Sequence, residues 1–249
     1  MRTEMRTKDQ LAVAAGKPAA DRGFPHPRSV AAGATALVSC YRRLARQREH
    51  LLESVLNGEP PVQWAHYPHD DAINRDRRYQ WFYHSHSPAD RPDAAEHGHF
   101  HLFARIGGRS RCVDAGIEQE FQATMKSTTS EAATRSLLGI SLNPQGVPVS
   151  LFTVNRWVTG DELLSGPGTL SLLDSLTLRT GHPEIDACIT ALTRLYRPEI
   201  RLLIKRRDEV LHARAATGPG TLDDRSLEVL SELALNADDR IAAVLPESA

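Results

Sequence analysis

Two short runs of the chain alternate histidine with other residues, and their shared parity restricts how the surrounding segments can pair. They are Tyr83-His84-Ser85-His86 and Glu96-His97-Gly98-His99-Phe100-His101. In an extended strand, residues i and i+2 share a face, with Cα atoms about 6.6 Å apart, so each run sends its imidazoles to one side. If the two strands form an antiparallel pair, facing residues have a constant sum of residue numbers. A sum of 183 sets His84 opposite His99 and His86 opposite His97; a sum of 185 sets His84 opposite His101 and His86 opposite His99. Either register gathers His84, His86, His97, His99 and His101 on one face, whereas an even sum scatters them over two. The other face then carries Trp81, Tyr83, Phe100, Leu102 and Ala104, an apolar surface for helices to cover.

The rest of the chain supplies those helices. Residues 1–28, rich in Ala, Gly, Arg and Lys, read as a disordered tail. From Ser29, apolar residues at Leu37, Tyr41, Leu44, Leu51, Leu52 and Val55 recur at helical spacing until Asn57-Gly58 and Pro60-Pro61. Strands are expected from about Tyr79 to His86 and from His97 to Arg105, then a helical stretch from Ile117 to Ser136. Asn143-Pro144-Gln145-Gly146 marks a hairpin between Leu137–Leu142 and Val147–Val158, with Pro and Gly placed as a turn requires. After Gly160-Asp161 the pattern is helical. Pro198 suits the first turn of one helix, and Thr221 with Asp224 resembles a capping pair for another carrying Leu227, Leu230 and Leu233.

This pattern predicts an α+β fold: a small antiparallel β-sheet of about four strands packed by N- and C-terminal helices. Residues 29–249 form one domain, with helix, sheet and histidine site in 29–160 and a helical part in 161–249. A net charge of −1 gives no reason to expect a nucleic-acid or anionic-membrane partner. No apolar run approaches a membrane span, and the start carries charges without a signal-peptide core. Cys40, Cys112 and Cys188 are widely spaced, with no CxxC. They read as buried thiols in a reducing compartment, so a cytoplasmic location is expected.

Seven of the eleven histidines lie between His66 and His101. Imidazole is the commonest neutral metal ligand, so the five strand histidines, His84, His86, His97, His99 and His101, are the candidate metal ligands. A straight strand separates His97 from His101 by about 13 Å, so one ion takes all three only if the strand bends. His66 and His69 flank a Tyr-Pro and are weaker candidates; Glu96 and Asp70 are candidate ligands or proton carriers. Glu96 and Arg156 are the candidate catalytic residues, Arg156 with Asn155 being read as a polar pair on a strand beside the cleft. His182, before Pro183, reads as a helix-start residue.

Three resemblances bear on these residues. His97-Gly98-His99-Phe100-His101-Leu102-Phe103 resembles the histidine-triad pattern, which implies nucleotide hydrolysis or transfer with His99 as the phosphate nucleophile. The glycine and glutamine segment usual upstream is replaced here by Ala94-Ala95-Glu96. The HxH pair with a nearby Glu is similar to a cupin metal motif, although cupins need many more strands. As a whole the chain resembles an uncharacterised bacterial family, through Glu96 to Phe103 and the segment from Asn143-Pro144-Gln145-Gly146 to Arg156-Trp157-Val158-Thr159-Gly160-Asp161.

The leading expectation is a metalloenzyme with three or four imidazole ligands and a small-molecule substrate. Imidazole suits iron, copper, zinc and nickel. Phe82, Phe103 and Trp157 as a dry lining favour oxidoreductase chemistry at non-haem iron or copper over hydrolysis at zinc. The alternatives are a metal carrier or sensor without turnover, and nucleotide chemistry with Arg105, Arg109 or Arg156 on phosphate.

Overall fold

Among the described residues, six strands pair in sequence order into one open antiparallel sheet. The structure, a computed structural model, describes residues 27–86, 96–105, 113–126 and 132–245. The tail proposed for residues 1–28 falls almost wholly outside them, and Cys112 and Arg109 lie outside them.

Helix α1 (Pro27–Gln47) ends at Arg48, whose φ of 60° is left-handed. A second short helix, α2 (Leu51–Leu56), restarts behind His50, whose N–H donates to the Glu53 carboxylate at 2.8 Å. The single helix read from the spacing is therefore two, because this capping box breaks the chain without disturbing the apolar periodicity. Strands β1 (Tyr67–Ile73), β2 (Tyr79–Ser85) and β3 (Gly98–Arg105) follow. The β2–β3 register pairs His84 with His99, the sum of 183.

Helix α3 (Ala115–Met125) is capped by the Asp114 carboxylate, which accepts from the Gly116 and Ile117 N–H groups. It stops at Lys126, ten residues short of the expected end, and β4 (Thr134–Leu142) begins earlier than expected. The Asn143–Gly146 turn forms as read: Asn143 Oδ1 accepts from the Gln145 and Val147 N–H groups, and Gly146 takes φ 71°. Strand β5 (Pro148–Val154) runs back along β4. It is followed by a one-turn helix α4 (Arg156–Thr159), then α5 (Gly166–Asp174), α6 (Pro183–Leu195) and α7 (Arg197–Ala215). Strand β6 (Val229–Ala234) and α8 (Ala237–Val244) close the described chain.

The sheet has six strands rather than about four. Strand β1 lies in what reads as a polar loop. Strand β6 replaces a predicted helix. There the Asp224 carboxylate accepts from Ser226 N–H and Oγ instead of capping a helix, with Arg214 paired to it. The chain then pairs with the open edge of β5, and the Ser231 hydroxyl meets Thr153 Oγ1 at 2.7 Å. Leucines three apart fit a helix face, but the backbone hydrogen bonds offered by that edge decide the outcome.

One face of the sheet carries the main core. Trp81, Tyr83, Phe100, Leu102, Ile140, Leu142 and Leu151 pack with residues of α1, α6 and α7. Trp81 Nε1–H donates to Asp186 of α6 at 3.0 Å, which satisfies the one polar atom of a fully buried ring. A smaller core joins α3, α7 and Leu230. Cys40 and Cys188 are buried thiols. Among the described residues no helix is long and apolar enough to cross a membrane.

Candidate metal centre

With the helices on one face, the opposite face of β2 and β3 presents Phe82 and His84 beside His99, His101 and Phe103. His84 Nε2 lies 2.8 Å from His99 Nε2, and His101 Nε2 lies 3.0 Å from the same atom. His86, one residue past β2, brings its Nε2 to 3.2 Å from His99 Nδ1. His84, His86 and His99 each offer a ligand atom within 4.8 Å of the others, so these three can hold a metal ion. Tetrahedral ligand nitrogens about 2.0–2.1 Å from a metal are separated by distances of this order.

Hydrogen bonding orients the His99 ring, and burial keeps His101 neutral. Glu96, just ahead of β3, places Oε1 2.5 Å from His99 Nδ1, and both side chains are nearly buried. A carboxylate here takes the Nδ1 proton as its hydrogen bond, so Nε2 keeps its lone pair toward His84 and His101. That is the carboxylate–histidine arrangement used behind metal ligands. Burial, reinforced by the neighbouring His99, His84, His66 and His86, holds His101 well below the usual histidine value, which keeps it neutral near pH 7.

The surroundings are aromatic and closed on the inner side. Phe82 stacks on Phe103 at 5.5 Å between ring centres, and Phe152 of β5 meets His99 at 4.9 Å and His101 at 5.9 Å. Phe152 reaches that position by lying across Gly139 of β4, where an added methyl group would collide with its ring. On the outer side, Trp64 makes T-shaped ring contacts with His84 at 5.6 Å and His86 at 4.9 Å between centres.

Of the five strand histidines, four converge. His97 turns the other way: its Nδ1 lies 2.6 Å from the Tyr83 hydroxyl, and Tyr83 belongs to the helix-covered core. The cause is local. Gly98 lies so close to β2 that a methyl group there would strike the His84 carbonyl oxygen and the Tyr83 hydroxyl. The strand proper begins only at Gly98, so His97 escapes the alternation.

His66 reaches the rim, stacked on Phe82 at 3.7 Å and held by Asp71 at 2.9 Å. His69 and Asp70 are fully exposed and bonded to each other. Arg156 is not on a strand. It opens α4 behind the Asn155 cap, and its guanidinium is taken up by Glu162 and Asp223. Trp157 donates to the Leu227 carbonyl and lies under Arg225, engaged with the segment before β6. His182 is the N-cap residue of α6.

The wall residues Phe152 and Trp64 escape a reading based on histidine spacing. An exposed tryptophan just ahead of the first histidine cluster is a sequence signal for the outer wall; Phe152 has none.

A family described as a domain of unknown function, DUF6969, matches residues 31–235. The chain belongs to that family. Neither the comparison with curated proteins nor that with solved structures gives a match. The matched span covers the whole sheet and the histidine cluster, so the site lies within the DUF6969 domain.

Proposed function

We propose that the histidine cluster is a transition-metal centre, and that this DUF6969 domain is a metal-dependent oxidoreductase acting on a small molecule, with iron or copper as the ion. One observation carries the reading: ligand atoms of His84, His86 and His99 lie within 4.8 Å of one another, with His101 Nε2 3.0 Å from His99 Nε2 and Glu96 bonded to His99 Nδ1. His84 and His99 are the shared ligands, with His86 and His101 on either side of them. A first-row ion held by three of these imidazoles would have a position left for oxygen or a donor atom of the substrate.

The chain's own residues supply the rest. Glu96 holds the proton on His99 Nδ1 and orients the ring. Phe82, Phe103 and Phe152 keep water from the inner side, which strengthens every polar interaction there. The dry aromatic lining of Phe82, Phe103 and Phe152 supports oxygen chemistry at iron or copper over a zinc hydrolase. The nucleotide-transfer alternative is disfavoured by crowding. His99 Nε2 is closely flanked by two imidazoles, whereas a phosphate nucleophile needs an open line of approach, and Arg105 and Arg156 are engaged by Gln80 and by Glu162 with Asp223.

The test is the electronic spectrum of the purified protein under nitrogen and then in air, with its metal content measured alongside. Bound iron or copper with bands that change on admitting oxygen supports the oxidoreductase. Zinc alone, with no spectral change, contradicts it.

A further inference from the structure

The approach to the histidine cluster is one-sided. His99 and His101 are 5% and 2% exposed, and Phe82, Phe103 and Phe152 close the inner wall. His84 and His86 are only half-buried. Among the described residues, a molecule reaching the cluster therefore passes along these two rings, and Trp64 makes T-shaped contacts with both.

The Trp64 side chain lies outside both apolar cores of the described residues. Trp64 is 58% exposed, and Val62 beside it is 64% exposed. Its backbone takes φ 66°, a left-handed conformation that bulky residues rarely adopt. The segment is nonetheless pinned. Val62 N–H donates to the Tyr67 hydroxyl at 2.7 Å, and Gln63 bridges to Ser85 at the end of β2. A large apolar side chain is thus held, in an unfavourable backbone conformation, over the only half-buried part of the cluster. Such a strained position, over-determined by its surroundings, points to a binding role.

Building on the metal-centre reading, we infer that Trp64 is a substrate-positioning residue that selects a flat aromatic molecule bearing an oxygen donor. The indole offers a π-face of the kind that pairs with another ring. The half-buried histidines lie one ring-contact away, where an oxygen on that molecule meets the metal. An aliphatic molecule with the same donor buries area on the indole but lacks the ring–ring interaction that an aromatic pair adds beyond burial.

The experiment compares benzoate with cyclohexanecarboxylate, which share a carboxylate but differ in the flatness and π-character of the ring. Calorimetric titration of each into the metal-containing protein as purified, and into Trp64→Ala and Trp64→Phe, reads the selection directly, with metal content measured in all three. The expected result is that wild type prefers benzoate by about fivefold, the scale of one aromatic pair. Trp64→Ala abolishes that preference, Trp64→Phe keeps most of it, and metal content is the same throughout. Equal binding of the two acids by metal-containing wild type, or a preference that survives in Trp64→Ala, overturns the role of Trp64 and leaves the metal centre standing. Wild type without metal overturns the metal centre and this inference with it.

Discussion

The Glu96 carboxylate lies 2.5 Å from Nδ1 of His99, and this contact turns the other nitrogen, Nε2, toward His84 and His101. Removing it leaves His99 free to rotate or to adopt the other tautomer. Glu96→Ala is therefore expected to weaken metal binding by about 10–100-fold, the range found for partners behind metal ligands. Glu96→Gln keeps an acceptor oxygen and is expected to lie between. Competition with a chromophoric chelator measures this, and unchanged affinity in Glu96→Ala would remove Glu96 from the site.

The contact between Phe152 and Gly139 carries a stability prediction. Gly139→Ala puts a methyl group into the Phe152 ring and is expected to cost about 1–3 kcal/mol, as overpacking does. Because the two residues touch, Gly139→Ala with Phe152→Ala is expected to cost clearly less than the sum of the singles. Urea unfolding of the four proteins measures the coupling, and strict additivity would contradict the packing described.

Burial of His101 has a pH consequence for the metal-stripped protein. Its folded value is held below the unfolded one of about 6.5. Above about pH 6.5 both states are neutral and the stability is fully present. Below it the unfolded chain takes up a proton that the folded chain refuses, so stability falls with falling pH by up to about 1.4 kcal/mol per unit from this group. His101→Leu is expected to flatten that limb. Urea midpoints from pH 7.5 to 5 in the presence of chelator test it, and an identical slope in His101→Leu would rule out His101 as the cause.

The parity of the two histidine runs was enough to read the shared face of β2 and β3 and to narrow the register to sums of 183 or 185, because one shifted residue would move every imidazole to the core side; the strands take 183. It failed at His97, where a close approach at Gly98 ends the strand one residue early. The Asn143–Gly146 turn was legible from its own residues, yet Phe152 was not. A uniform hairpin from Asn143 and Val147 would set Phe152 opposite Leu138 on the core face. A register shift between Ser141 and Leu142 sets it opposite Gly139 instead. Bulges of this kind depend on contacts across the sheet. Strand β6 was hidden for a related reason: its leucine spacing suits a helix, and only the open edge of β5 makes it a strand. Arg156 read as a strand residue because nothing local announces that Asn155 caps a single helical turn.

The central claim is that His84 and His99 ligate one metal ion while His97, in the adjacent run, does not. Elemental analysis of purified wild type, His84→Ala, His99→Ala and His97→Ala, with circular dichroism on the same samples, tests it most directly. The account predicts stoichiometric metal in wild type and His97→Ala, and loss of most of it in His84→Ala and His99→Ala with helix content preserved in all four. Full metal content in His84→Ala or His99→Ala, or metal lost from His97→Ala alone, would contradict it.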